Sequence, residues 1–213
     1  MKTQELITLL ANGASAVPAH TPARRLAVAT GIGIACAAIA MLGLLGPNPE
    51  LARNLQYPMF WLKLGFTAAT AAVALFSIAR LSRPGVRWSH ARWMLGAPVL
   101  FVWLVALVTL ADAAPVERVA LVLGATWRTC ALNIAALSVP LLVAILWTVK
   151  TLAPTRLRIA GAVGGCAAGA LAAFVYAFHC PELEAPFLGT WYVLGILIPT
   201  VVGALIGPRA LNW

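Results

Sequence analysis

The sequence predicts an all-α fold: an integral membrane bundle of six transmembrane helices with both termini cytoplasmic. Three observations lead there. Of 213 residues, 62% are hydrophobic and 10% charged, against about a quarter charged in an ordinary soluble domain. Six apolar stretches have the roughly 20-residue length that crosses a hydrocarbon core; together they leave no room for a separate globular domain. The few charges gather in short clusters between these stretches, which is a topology pattern rather than the single basic surface of a nucleic-acid binder. A net charge of +9 therefore gives no reason to expect direct nucleic-acid binding.

Residues 1–25 read as a cytoplasmic N-terminal segment, a short amphipathic helix followed by a linker, and residues 26–213 as the transmembrane domain. In the segment TQELITLLA, Leu6, Leu9 and Leu10 with Ile7 beside them make an apolar face of about two helical turns, too short to be stable alone. Such a face suits either a membrane surface or a partner's groove. Ala14 to Pro22 reads as a flexible linker. The first apolar run, Leu26 to Gly46, follows a polar segment containing Glu5, and no small-residue cleavage site comes after it, so it reads as a retained span.

The second span is Pro58 to Leu81, with Lys63 written into it. Five residues from the helix start, Lys63 is expected to snorkel outward; an ion pair with Asp112, Glu117 or Glu182 is the functional alternative. The third span is Ala91 to Ala111. Pro115 to Leu123 follows, with Val116, Val119, Ala120 and Leu123 at helical spacing and Gly124 as a stop, and reads as an interfacial helix on membrane lipid. Spans four to six are Trp127 to Val149, Leu157 to Phe178 and Phe187 to Gly207. Gly161, Gly165 and Gly169 in the fifth form overlapping G-x-x-x-G steps, which predicts close approach of a neighbouring helix. Pro98, Pro140 and Pro199 fall inside spans three, four and six and read as static bends.

Positive charge orients the chain. Lys2, Arg24, Arg25, Arg80, Arg83, Arg87, Arg92, Lys150, Arg156, Arg158 and Arg209 fall on one side, and Arg53, Arg118 and Arg128 on the other. The richer side is cytoplasmic. Glu50, Asp112, Glu117, Glu182 and Glu184 all fall outside.

Few residues remain that carry chemistry. Cys36 and Cys166 lie mid-span and read as small packing residues. Cys130 lies one turn into the fourth span and Cys180 at the end of the fifth, with Thr155 of the tight turn LAPTR midway between them. Antiparallel helices joined there bring both thiols to similar depth beside the outer compartment. Placement alone leaves two readings open, unrelated small residues or a redox or soft-metal sensing pair, because helix rotation decides whether the sulfurs meet. Arg128 and His179 are candidates for nearby positive charge, and His179, Glu182 and Glu184 for further donors. There is no C-x-x-C or H-x-x-x-H spacing, so the metal signal rests on Cys130 and Cys180 alone. No catalytic residues and no cofactor are expected: G-x-S-x-G, H-E-x-x-H, a phosphate loop and paired intramembrane carboxylates are all missing from the sequence.

MKTQELITLLA at the start, FWLKL in the second span, WRTC opening the fourth, APT in the next turn, FHCPE closing the fifth, and PFLGTWYVLGILIP leading to GPRALNW together resemble the NrsF-type membrane anti-sigma factors of bacteria. The resemblance covers the whole chain. It implies a multi-pass inner-membrane protein that is not an enzyme, holds an extracytoplasmic-function sigma factor inactive, and releases it under heavy-metal or oxidative stress. The family's paired cysteines correspond to Cys130 and Cys180. Composition assigns sigma binding first to Leu6, Ile7, Leu9 and Leu10. The reading from another class is a small membrane enzyme or carrier that acts on thiols or metal ions at the outer face.

Overall fold

The computed structural model describes residues 3–5, 7–8, 21–81 and 91–212. All described secondary structure is helical. Six helices are long and apolar enough to cross a membrane: α1 (Thr21–Leu44), α3 (Pro58–Leu81), α4 (Ala91–Asp112), α6 (Trp127–Lys150), α7 (Leu157–Tyr176) and α8 (Ala185–Ala210). Two short helices sit in connections, α2 (Leu51–Asn54) and α5 (Arg118–Leu123). The expected spans are all present, shifted by up to about five residues at their ends. The interfacial helix begins three residues later than Pro115, because 115–117 form a turn. None of its residues is buried, and Val116 and Val119 are open.

Of the N-terminal face expected from Leu6, Ile7, Leu9 and Leu10, only Ile7 lies within the described residues, and it is exposed. Arg83 and Arg87 of the basic cluster also lie outside them.

Helix α7 is the hub. It packs against α3, α6 and α8 along its length and touches α1, while α4 stays peripheral, against α3 and the start of α8. The sequence explains this order. With Gly and Ala on nearly every face of α7, neighbouring backbones approach closely, and dispersion rather than water expulsion holds helices together in lipid. The glycine stripe meets α8: Gly161 faces the Gly203 carbonyl, Gly165 the Pro199 carbonyl, and Gly169 the Pro199 ring and Ile196.

Several buried hydroxyls are satisfied within their own helices, as Thr70 to the Phe66 carbonyl at 2.8 Å and Ser77 to Val73 at 2.7 Å, which removes the cost of a free donor in an apolar layer; Thr30 on α1 is buried without a partner. Pro98, Pro140 and Pro199 lie inside α4, α6 and α8 as expected, joined by Pro208. Cys36 departs from the packing role given to it, since it is exposed on the outside of α1, whereas Cys166 is half-buried.

Candidate functional site

Cys130 and Cys180 come together. Each is fully buried, neither forms a disulfide, and the two thiols lie close enough to act on one another. Cys130 is held by the first turn of α6, its amide donating to the Thr126 carbonyl at 3.0 Å; Cys180 closes the turn after α7, its amide donating to the Tyr176 carbonyl at 3.0 Å. Cys180 lies in the connection beyond the spanning part of α7. There the neighbouring Cys130 thiol draws its thiol below the ordinary range, opposed by burial and helped by the Lys63 charge and the Tyr192 hydroxyl.

Lys63 corrects the expectation from sequence. It does not snorkel: it is fully buried, on the inward stripe of α3 that runs Phe60, Lys63, Leu64, Thr67, Thr70, Ala71 and Ala74. A helical side chain leans toward the N-terminus of its helix. Here that direction carries the ammonium to the segment after α7, where it donates to the Cys180 carbonyl at 2.9 Å and the Glu182 carbonyl at 2.9 Å. Its Nζ also lies 5.8 Å from the Phe60 ring centroid and 5.7 Å from that of Tyr192. Main-chain oxygens and ring faces thus take the place of the alternative reading too, an ion pair with Asp112, Glu117 or Glu182.

Tyr192 is the second residue that sequence reasoning missed. Its hydroxyl is fully buried without a hydrogen-bond partner and lies beside the Cys180 thiol. A π-turn, Leu188–Tyr192, sets it there near the start of α8. Such turns free backbone groups and often mark functional positions. In this one the Gly189 carbonyl accepts from the Trp103 indole of α4 at 2.8 Å, and the Trp191 indole donates to the Val122 carbonyl at 2.9 Å. The sequence signal was faint: a G-T-W-Y run interrupting an aliphatic helix.

The auxiliary candidates divide. Glu182 belongs to the non-helical connection 180–184 between α7 and α8, a strap that carries Cys180 at its start. Its carboxylate accepts from the amides of Ala125 (2.7 Å) and Thr126 (3.2 Å) and the Thr126 hydroxyl (3.4 Å), so it caps α6, whose own Thr126 makes no side-chain cap. His179 faces away from the sulfurs: its Nδ1 is 2.7 Å from the Gly46 carbonyl, and its ring packs 5.4 Å from Tyr176. Arg128 stays exposed, 5.2 Å over the Trp127 ring, and is not among the charges acting on Cys180. Long exposed cations gain more from water and a ring face than from burial. Among the described residues no group of three His, Cys, Asp or Glu side chains is placed to hold a metal ion; the pair would offer a soft ion two sulfurs.

Gly124 lets the strap close. Its φ is +56°, and a Cβ there would meet the Glu182 carboxyl and Phe187 at 2.8 Å. Gly124→Ala should therefore cost about 1–3 kcal/mol and speed alkylation of Cys180 by a small reagent, read by mass spectrometry. An unchanged rate would show that the strap does not control access.

Fold and site define a class: among the described residues, an all-helical protein with six helices long and apolar enough to cross a membrane and two neighbouring buried thiols at one end. A family model described as "Negative regulator of sigma F" matches residues 10–213. A protein of Azospira oryzae named "Probable anti-sigma-F factor NrsF" is 52% identical over the full length of both chains, and one of Caulobacter vibrioides named "Anti-sigma-F factor NrsF" is 36% identical, again over both full lengths. No solved structure matches. The chain belongs to the NrsF family, whose role is regulatory and not enzymatic.

Proposed function

We propose that this protein is a multi-pass inner-membrane anti-sigma factor that sequesters an extracytoplasmic-function sigma factor at its cytoplasmic face and releases it when heavy-metal or oxidative stress modifies Cys130 and Cys180. The observation that carries the sensing half is the buried, neighbouring, unbridged thiol pair. The positive-inside distribution puts that end of the bundle outside, in the compartment where thiols meet oxidants. Family membership supports the partner half. Covalent modification or bridging of the sulfurs changes the distance between α6 and the strap, both of which pack on α7, and so biases the bundle between two arrangements. Residues 1–25 remain the first candidate for the sigma-binding segment, with Leu6, Ile7, Leu9 and Leu10 as its apolar face.

The test is co-purification. A sigma factor should accompany the detergent-extracted protein, and deleting Met1 to Ala11 should weaken capture at least about tenfold while membrane insertion is retained. Undiminished capture would move the site to the basic loops around Arg80 to Arg92 or Lys150 to Arg158. Absence of any sigma factor from the unaltered preparation would defeat the partner assignment.

A further inference from the structure

We propose that Lys63 is the built-in counter-charge of the thiol pair, one that makes Cys180 the attacking sulfur and stabilises the reduced pair against the disulfide. For its cellular meaning this rests on the thiol-sensing reading, but its chemistry stands on purified protein alone.

The argument begins with charge balance. Lys63 is fully buried and, among the described residues, makes no ion pair with a carboxylate. A buried charge without a counter-charge costs several kcal/mol. The two carbonyls and two ring faces around the ammonium offset part of that. The acidic groups near enough to act on it are the Cys180 and Cys130 thiols and Glu182. The Glu182 carboxylate is already occupied by two amides and a hydroxyl at the start of α6. What remains is sulfur.

The two sulfurs are not equivalent. Lys63 holds the Cys180 carbonyl and so fixes that residue's backbone beside the cation. The unpartnered, fully buried Tyr192 hydroxyl also lies beside Cys180. Cys130, in the first turn of α6, neighbours the Cys180 thiol but has no carbonyl held by the ammonium. Negative charge therefore collects on Cys180, and Cys130 keeps the proton.

With a low-molecular-weight disulfide such as glutathione disulfide as oxidant, the Cys180 thiolate attacks one sulfur, the glutathione S–S bond breaks, and one glutathione leaves as thiolate. Cys130 then loses its proton and attacks the Cys180 sulfur of the mixed disulfide. The second glutathione departs and takes that proton. Two electrons pass from the pair to the oxidant, and one disulfide replaces another.

A fixed cation acts on this sequence in two opposed ways. It speeds the first attack by maintaining thiolate, and it favours the reduced pair at equilibrium, as low-energy thiolates do in strongly oxidising dithiols. Lys63→Gln retains donors for the two carbonyls and removes the charge; Lys63→Arg retains the charge. In glutathione buffers at neutral pH, Lys63→Gln should shift the pair about tenfold toward disulfide, roughly 30 mV, and yet form the first mixed disulfide more slowly than the parent. Lys63→Arg should stay near the parent in both. Simple loosening of the site would speed the attack, so the opposed pair of changes separates a charge role from a structural one.

An unchanged equilibrium in Lys63→Gln, or an equal shift in both variants, overturns the proposal. A measurement that leaves position 63 intact decides the case even where Lys63→Gln does not fold: Cys130→Ser should form a mixed disulfide with glutathione faster than Cys180→Ser, and the reverse order overturns the proposal. If cells carrying either serine variant answer stress like the parent while these results hold in vitro, the sensing reading fails and the Lys63 assignment stands.

Discussion

Cys130→Ser and Cys180→Ser should each remove most of the sigma-factor response to oxidant and soft metal, while Cys36→Ser leaves it intact. Serine preserves shape at both sites, so the loss would report chemistry rather than packing. For the pair to release a partner about 100-fold, it must separate two states by about 2.7 kcal/mol. A new disulfide, or a soft ion held by two sulfurs, falls in that range; a hydroxyl in place of either thiol supplies neither. Cys36, exposed on α1, is the control. The measurement is a sigma-dependent reporter in cells exposed to cadmium or peroxide, with membrane abundance of each variant checked in parallel. Parent-like induction in both outer-cysteine variants would sink the thiol-sensor reading.

Gly165→Val should prevent stable accumulation of the protein or strongly lower its thermal midpoint in detergent. A Cβ at Gly165 would collide with the Pro199 carbonyl oxygen and would lie 2.7 Å from the carbonyl carbon and 2.8 Å from the Thr200 Cα, all of them backbone atoms that cannot swing aside. Overpacking of a core ordinarily costs about 1–3 kcal/mol, and relief here requires α7 and α8 to part along their shared stripe, so the loss should exceed that range. Gly65→Ala is the control. Gly65 has open space around it, and alanine there should gain about 0.5–1 kcal/mol from helix propensity. Equal midpoints for Gly165→Val and the parent would show that this glycine contact does not hold the bundle.

The spans were legible because each apolar run is about as long as a bilayer is thick, and backbone groups in such a layer have only the helix to satisfy them. The shared depth of Cys130 and Cys180 was legible for a related reason: a tight turn with Thr155 midway between them leaves antiparallel helices no other register. The small-residue stripe of α7 announced a close neighbour but not which one. α2 was not legible, since four residues of LARN carry no periodicity, and it rests on local bonds such as the Glu50 amide to the Asn48 side chain at 2.9 Å.

Sequence by itself determined that this chain is built of six helices of membrane-spanning length, that positive charge is concentrated in alternate connections, and that two cysteines share a level at one end. These are one-dimensional properties, set by length, composition and order along the chain. Only the tertiary structure decided which way each helix turns its faces. That rotation brings the two sulfurs into contact, leaves Arg128 and His179 turned elsewhere, and buries Lys63 where its position near a helix end had suggested exposure. A charge near a helix end reaches water only if its face does, and the face of α3 that carries Lys63 is the one packed on α7.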